Sequence, residues 1–246
     1  MMPRVAPLLC LAASVMCTGL LGAQESTPAP SIREDDTDGN LIAAQHSDIP
    51  LTVRAAIEEG NAAFKRGDFD AARGAYEIAR KIVPRNTLVL VNLGLIEFKR
   101  GQQDEAERFL LEALQNDLQL ARAWQTLGLV YLDNQQYEKA MAAFAQAVLH
   151  EPRNARNRNY LGVSIGQLGW HDGAESEFRK AIELDPRYAD AHFNLAYFYL
   201  QRPNPAIELA RRHYYRALEL GAERDLQIEQ KLRGKSSSTS SLKPGP

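Results

Sequence analysis

Apolar and small positions between residues 53 and 222 fall into columns that return every 34 residues. One column is small: Gly60, Gly94, Gly128 and Gly162, continued by Ala196. Two are alanine: Ala72, Ala106, Ala140 and Ala174, then Ala79, Ala113, Ala147 and Ala181. A fourth is large and holds Tyr76, Leu110, Phe144 and Phe178. A fifth holds Leu93, Leu127, Leu161 and Leu195, broken in its first copy by Glu59. Pro84, Pro152 and Pro186 close their copies, and Leu118 stands in the second.

The pattern predicts two helices per copy around a short polar turn, such as GDFD (67–70) or NQQY (134–137). A glycine inside a helix costs about 1 kcal/mol against alanine. Gly128 therefore needs an offsetting contact, and the columns supply one: a small residue lets two helix backbones approach, and a large neighbour fills the groove. Proline suits the start of the next helix or the loop before it, where no amide hydrogen is needed. The copies run 53–86, 87–120, 121–154 and 155–188. A fifth, 189–222, is degenerate, because RPNPAIEL adds two residues in its turn and moves Ala210, Tyr214 and Ala217 out of frame.

This period, with its small, large and proline positions, resembles the tetratricopeptide repeat. The third copy carries the resemblance best, through Trp124, Leu127, Gly128, Tyr131, Ala140, Phe144, Ala147 and Pro152. The resemblance implies an all-α fold, a right-handed α-solenoid of antiparallel helix pairs over residues 50–222. A single repeat cannot bury its own apolar face, so the ends need caps. Pro50 suits the first turn of an opening helix. Residues 223–234 suit a short closing helix, with Ile228 and Leu232 on one face.

The flanks differ from the array. Residues 1–23 read as a secretory signal peptide: Arg4, then an apolar run from Val5 to Leu21, then Gly22 and Ala23. The alternative is an uncleaved anchor, and that is the one route by which the chain is expected to touch a membrane. Both cysteines, Cys10 and Cys17, lie in this segment. The mature chain is therefore expected to hold no disulfide, thiolate nucleophile or cysteine-bound metal. Residues 24–49 form an acidic linker, and 235–246 a basic, serine-rich tail. Both have the composition of disorder.

The formal net charge of −2 excludes a global field for nucleic acid. No motif for a cofactor, a phosphate or a catalytic nucleophile is present, so we expect no enzyme and no cofactor. The histidines at 46, 150, 171, 192 and 213 show no HExxH and no close ligand spacing. His192 sits in the column of Trp124, and His171 in the turn column of Phe69 and Tyr137, which assigns both to packing. Glu34, Asp36, Asp38 and Gly39 imitate the start of a calcium loop. Its twelfth position is Gln45, where a glutamate is needed. No metal is expected.

The resemblance implies that the first helix of each repeat lines a concave groove. The expected partner-binding residues are Asn61, Phe64 and Lys65 in the first copy, and Asn92, Leu95, Phe98 and Lys99 in the second. Arg122, Gln125 and Thr126 follow in the third, Asn159 and Tyr160 in the fourth, and Asn194 and Tyr197 in the fifth. Amides suit a peptide backbone and aromatics supply anchors. Some family members clamp a partner's terminal carboxylate with lysine, asparagine, asparagine, lysine and arginine. The matching positions here are Ile57, Asn61, Asn92, Arg122 and Thr126, a partial set with Glu58 beside it. The expected function is an exported, periplasmic or secreted scaffold that binds a peptide or helix of a protein partner. The alternative is a structural subunit of a bacterial envelope assembly, serving pilus, outer-membrane or cell-wall machinery.

Overall fold

The computed structural model describes residues 50–233. The signal segment, the acidic linker, both cysteines, the calcium-like string and the basic tail lie outside the described residues. Within them the chain is all-α, with eleven helices. In order these are α1 (Leu51–Lys65), α2 (Phe69–Ile82), α3 (Thr87–Lys99), α4 (Gln103–Asn116), α5 (Ala121–Asp133) and α6 (Tyr137–His150). They continue as α7 (Ala155–Gln167), α8 (His171–Leu184), α9 (Ala189–Gln201), α10 (Ile207–Glu219) and α11 (Leu226–Arg233). Each odd helix from α1 to α9 packs along the even helix that follows it, and each even helix from α2 to α8 then packs on the next odd one. The odd helices also meet one another, α3 with α5 and α7 with α9. The result is a solenoid, with the odd helices as one layer and the even helices as the other.

The glycine column is the contact that closes each pair. A methyl group placed on Gly128 would lie 2.8 to 2.9 Å from three ring carbons of Phe144. The same group on Gly60 would meet the Tyr76 ring at 2.5 Å, on Gly94 the Leu110 side chain at 2.6 Å, and on Gly162 the Phe178 ring at 2.9 Å. All four large partners are wholly buried. The propensity lost at glycine is thus offset by a close helix approach and a filled groove.

Short turns join the helices of a pair through one left-handed residue. Gly67, Gly101 and Gly169 hold φ of 76°, 74° and 81° there, and Gln135 holds 57° at the same column. The fifth copy has Pro203 in that column. Proline locks φ near −65° and pushes the residue before it into extended backbone. Arg202 is extended accordingly, at φ −62° and ψ 148°. The tight turn cannot form, and a longer loop carries the chain to α10. This is the physical origin of the two extra residues. Beyond them the packing frame is restored, with Ala210, Tyr214 and Ala217 wholly buried.

Helix starts are set by side chains where the sequence allows. Asp68 accepts from the Ala71 amide at 3.0 Å, Asn86 from Val89 at 3.1 Å, and Asn154 from Arg156 at 3.0 Å. The ends of the array are managed differently. Glu59 is exposed on α1, where no earlier repeat among the described residues buries it, which accounts for its break in the leucine column. At the other end α11 buries Ile228 and Leu232 against α9 and α10. Arg211 donates to the Leu232 carbonyl at 2.9 Å and fastens the end of α11.

Two substitutions of the same kind should have opposite signs. Gly74 in α2 has nothing within 4 Å of an added methyl group. Gly74→Ala is expected to raise the thermal midpoint, with a gain of about 0.5–1 kcal/mol from helix propensity. Gly128→Ala is expected to lower it, with a loss of roughly 1–3 kcal/mol from overpacking. Gln135→Gly should gain about 0.5–1 kcal/mol, because glycine takes a left-handed turn without the penalty of a Cβ. Thermal unfolding followed by circular dichroism checks all three.

Candidate functional site

The fourteen residues expected to face a partner share the layer of odd helices but not one degree of exposure. Lys65 is exposed. Asn61, Phe98, Lys99, Arg122, Gln125 and Tyr197 are half-buried. Phe64, Asn92, Leu95, Thr126, Asn159, Tyr160 and Asn194 are buried. Half of these positions are thus packed within the array.

Several of them are occupied inside the array. The Tyr76 hydroxyl donates to Asn61 Oδ1 at 2.7 Å and accepts from Asn92 Nδ2 at 2.8 Å. This ties α1, α2 and α3 together. Burial pushes the Tyr76 phenol above its ordinary range, so it remains neutral and keeps its proton to donate. A second amide set lies further along the same layer. Asn194 Nδ2 donates to Asn159 Oδ1 at 3.0 Å, and Asn159 Nδ2 to the Tyr188 hydroxyl at 3.4 Å. Thr126 returns its hydroxyl to the Arg122 carbonyl at 2.9 Å. Tyr160 stacks on Phe144 with ring centres 5.2 Å apart. Phe64 meets Phe69 edge to face at 5.3 Å.

Of the carboxylate-clamp positions, Asn61 and Asn92 are brought together, but their chemistry is not that of a clamp. Both asparagines are engaged by Tyr76. Ile57 is wholly buried and apolar where a lysine belongs. Nothing in the repeat columns signals this network. It depends on the tyrosine that the large column carries in the first copy, and on amides 15 and 16 residues away from it in sequence.

Sequence reasoning also missed polar joints between repeats. Glu97 on α3 is 1% exposed, yet carries two guanidinium contacts, Arg73 at 2.5 Å and Arg100 at 2.6 Å. Arg100 also reaches Asp70 at 2.8 Å. The Tyr131 hydroxyl donates to Glu107 at 2.7 Å, and the Tyr199 hydroxyl to Glu175 at 2.9 Å. His192 is buried as expected of a packing residue, but its ring nitrogens are both used. His192 Nε2 lies 3.2 Å from the Pro186 carbonyl, and His192 Nδ1 lies 3.0 Å from His213 Nδ1. The two residues are 21 apart and on different helices, so no local motif announces the pair.

Among the described residues no three histidine, cysteine or acidic side chains converge as a metal site. No described helix is long and apolar enough to cross a membrane. The arrangement provides a long face of mixed amide, aromatic and charged character over five odd helices. Its polar groups are held in place by their neighbours across repeat boundaries.

Comparison with known proteins agrees with this architecture. Tetratricopeptide-repeat models match residues 57–124, 121–154, 161–188 and 177–219. Among solved structures, a crystal structure of MamA is 25% identical, with a TM-score of 0.58 over 65% of this chain and 93% of that one. MamA from Desulfovibrio magneticus RS-1 is 19% identical, with a TM-score of 0.63 over 70% of this chain and 96% of that one, a likeness of fold alone. The general transcriptional corepressor ssn6 of Schizosaccharomyces pombe is 30% identical over 142 residues, which is 57% of this chain and 13% of that protein. The Hsp70-Hsp90 organising protein of Plasmodium falciparum is 26% identical over 148 residues, 55% of this chain and 24% of that protein. The human protein O-mannosyl-transferase TMTC1 is 23% identical over 161 residues, 64% of this chain and 18% of that protein. The chain spans 10% to 30% of the length of such curated relatives. The glycine, alanine and aromatic columns, the helix pairs they close and the four model matches lead to one conclusion: this chain is a member of the tetratricopeptide-repeat family.

Proposed function

We propose that the protein is a non-catalytic scaffold that holds an extended or helical segment of a partner protein against its odd-helix, concave face. The observation that carries this reading is the layer itself. Five helices present amides, aromatics and charges on one side of the array, with positions fixed by contacts such as Tyr76 to Asn61 and Asn92. A preorganised face of this kind binds without large internal change. Phe98 and Tyr197, half-buried on α3 and α9, are the aromatic anchors. Lys65 and Lys99 end α1 and α3 on the same side and supply positive charge. The affinity is of order micromolar, or about −8 kcal/mol. The apolar run after Arg4 supports export of the chain, to a periplasmic or secreted location.

The partner segment is read along its length and not by its terminal carboxylate. With Tyr76 holding both asparagines, Ile57 and Thr126 in place of two cations, and Glu58 nearby, a free carboxylate gains little.

A photoreactive phenylalanine at Phe98 or Tyr197 of the full chain tests the site in extract of the native cell. It is expected to form an adduct with a protein, whereas the same probe at Ile78, exposed on α2, is not. Lys65→Glu combined with Lys99→Glu should weaken capture of that protein at least tenfold with the helical spectrum unchanged. Capture that survives both charge reversals and is lost in Ile78→Asp would place binding on the even-helix face instead. Once the bound segment is mapped, a peptide of it with an amidated C-terminus should bind within threefold of the free acid. A tenfold loss on amidation would restore the carboxylate clamp.

A further inference from the structure

His192 on α9 and His213 on α10 face each other with Nδ1 atoms 3.0 Å apart and ring centres 5.3 Å apart. The protons on this pair follow from its other contacts. A carbonyl only accepts, so the Pro186 contact puts a hydrogen on His192 Nε2. Neutral His192 then has a bare Nδ1, and His213 must donate its own Nδ1 hydrogen to it. Two neutral rings thus form one N–H···N bond across the α9–α10 interface. One added proton leaves that bond in place, since His213 can take it on Nε2. A second proton gives both Nδ1 atoms a hydrogen, head to head, at a separation that admits one.

The surroundings oppose even the first charge. Arg179 on α8 and Arg212 and Arg216 on α10 act on the pair as like charges. Glu175 on α8 is the one carboxylate acting against them, and it is already committed to Arg179 at 2.9 Å, Arg202 at 3.1 Å and the Tyr199 hydroxyl. Tyr199 on α9 packs its ring 6.0 Å from that of His213. On α11, which packs against the same two helices, Glu229 is bonded to Arg224 and Arg233. Neither of these two carboxylates is left to stabilise an imidazolium.

We infer that the His192–His213 contact is an acid-operated latch, which holds α9 against α10 while both rings are neutral and releases the fifth repeat when both are protonated. Desolvation, with His192 alongside, pushes His213 down to about 4, and burial also lowers His192. The sign follows. In the unfolded chain both rings titrate at about 6.5, so below that pH the unfolded chain binds more protons than the folded one. The latch is fully stabilising above that pH and is lost as pH falls toward 4. Repeat arrays are coupled only to nearest neighbours, so opening is confined to α9, α10 and the α11 that rests on them.

Amide hydrogen exchange on the full chain, corrected for intrinsic rates, tests this at pH 7.5 and 4.5. Protection in α10 (Ile207–Glu219) is expected to fall at least tenfold relative to α5 (Ala121–Asp133) between the two. His213→Gln keeps a donor for His192 but cannot titrate, and should cut that fall below threefold. The proposal is overturned if α10 follows α5 in the wild-type chain, or if α10 loses as much protection in His213→Gln as in wild type. Should His213→Gln leave α10 open at pH 7.5, His192→Gln takes its place under the same two criteria. Imidazole proton shifts of the wild-type chain decide independently: one ring titrating below pH 5 supports the latch, and two titrating near 6.5 sink it.

Discussion

The approach of a glycine backbone to a large buried side chain sixteen residues later sets the dimensions of this molecule. Gly60 to Tyr76, Gly94 to Leu110, Gly128 to Phe144 and Gly162 to Phe178 are four executions of one contact. With a methyl group at any of these glycines, the ring or leucine opposite would have to move, and the helix carrying it would move too. The fixed spacing within a pair also fixes where the second helix meets the next repeat. Because each unit buries its apolar face only by stacking on neighbours, an error in one pair would be transmitted to the layer of odd helices it helps to build. The arrangement of amides and aromatics on the odd helices is therefore a consequence of the contacts that close each pair.

Between repeats the constraint is looser, and the chain meets it with different chemistry. At one joint, 24 residues link a position early in an even helix to one late in the next odd helix. The first joint is the ion pair Arg73–Glu97, and the second the hydrogen bond from Tyr131 to Glu107. The third places Met141 and Ile165 there, both half-buried against the core. The fourth returns to a hydrogen bond, from Tyr199 to Glu175. An ion pair, a hydroxyl and an apolar pair are interchangeable here because the joint only needs its polar atoms satisfied and its volume filled. Glu97 is the demanding case: nearly all of it is buried, and it tolerates burial because a guanidinium group reaches each of its carboxylate oxygens.

What was legible in the sequence follows from this difference. The glycine, alanine and aromatic columns repeat because the packing they serve repeats, so the helix pairs were visible without coordinates. So was the irregularity at RPNPAIEL, although its cause, Pro203 at a column that needs positive φ, requires knowing which turn residue is left-handed. The joints were not legible, because their chemistry changes from copy to copy and carries no period. The Tyr76 network was hidden for the same reason: the hydroxyl that the large column carries in the first copy recruits Asn61 and Asn92 and removes them from the candidate clamp. Exposure of the groove residues was not legible, because helical register gives the direction of a side chain, not what stands in front of it. Asn194 points along the expected face, yet its amide is used by Asn159 on the neighbouring odd helix.

The fifth repeat combines these departures, and their coincidence has a physical logic. Pro203 forces a longer loop, and that loop frees α10 from the tight three-residue turns of the earlier copies. Helix α10 is then positioned less by its connection and more by what it touches. It packs along α9, where the pair His192–His213 lies, while the Tyr214 hydroxyl reaches the Asp225 carbonyl just before the α11 cap. Elsewhere the column that holds His192 carries Ala56, Leu90, Trp124 and Arg158, none of which changes charge near neutral pH. A titrating contact placed in the middle of the array would sit between two rigid turns and two neighbouring repeats, and its protonation would be resisted from both sides. Placed in the last pair, beside a long loop and under an eight-residue cap, the same contact has the least structure to overcome. The one-dimensional stacking that gives the array its groove thus also decides where in it a small electrostatic change can have a mechanical effect.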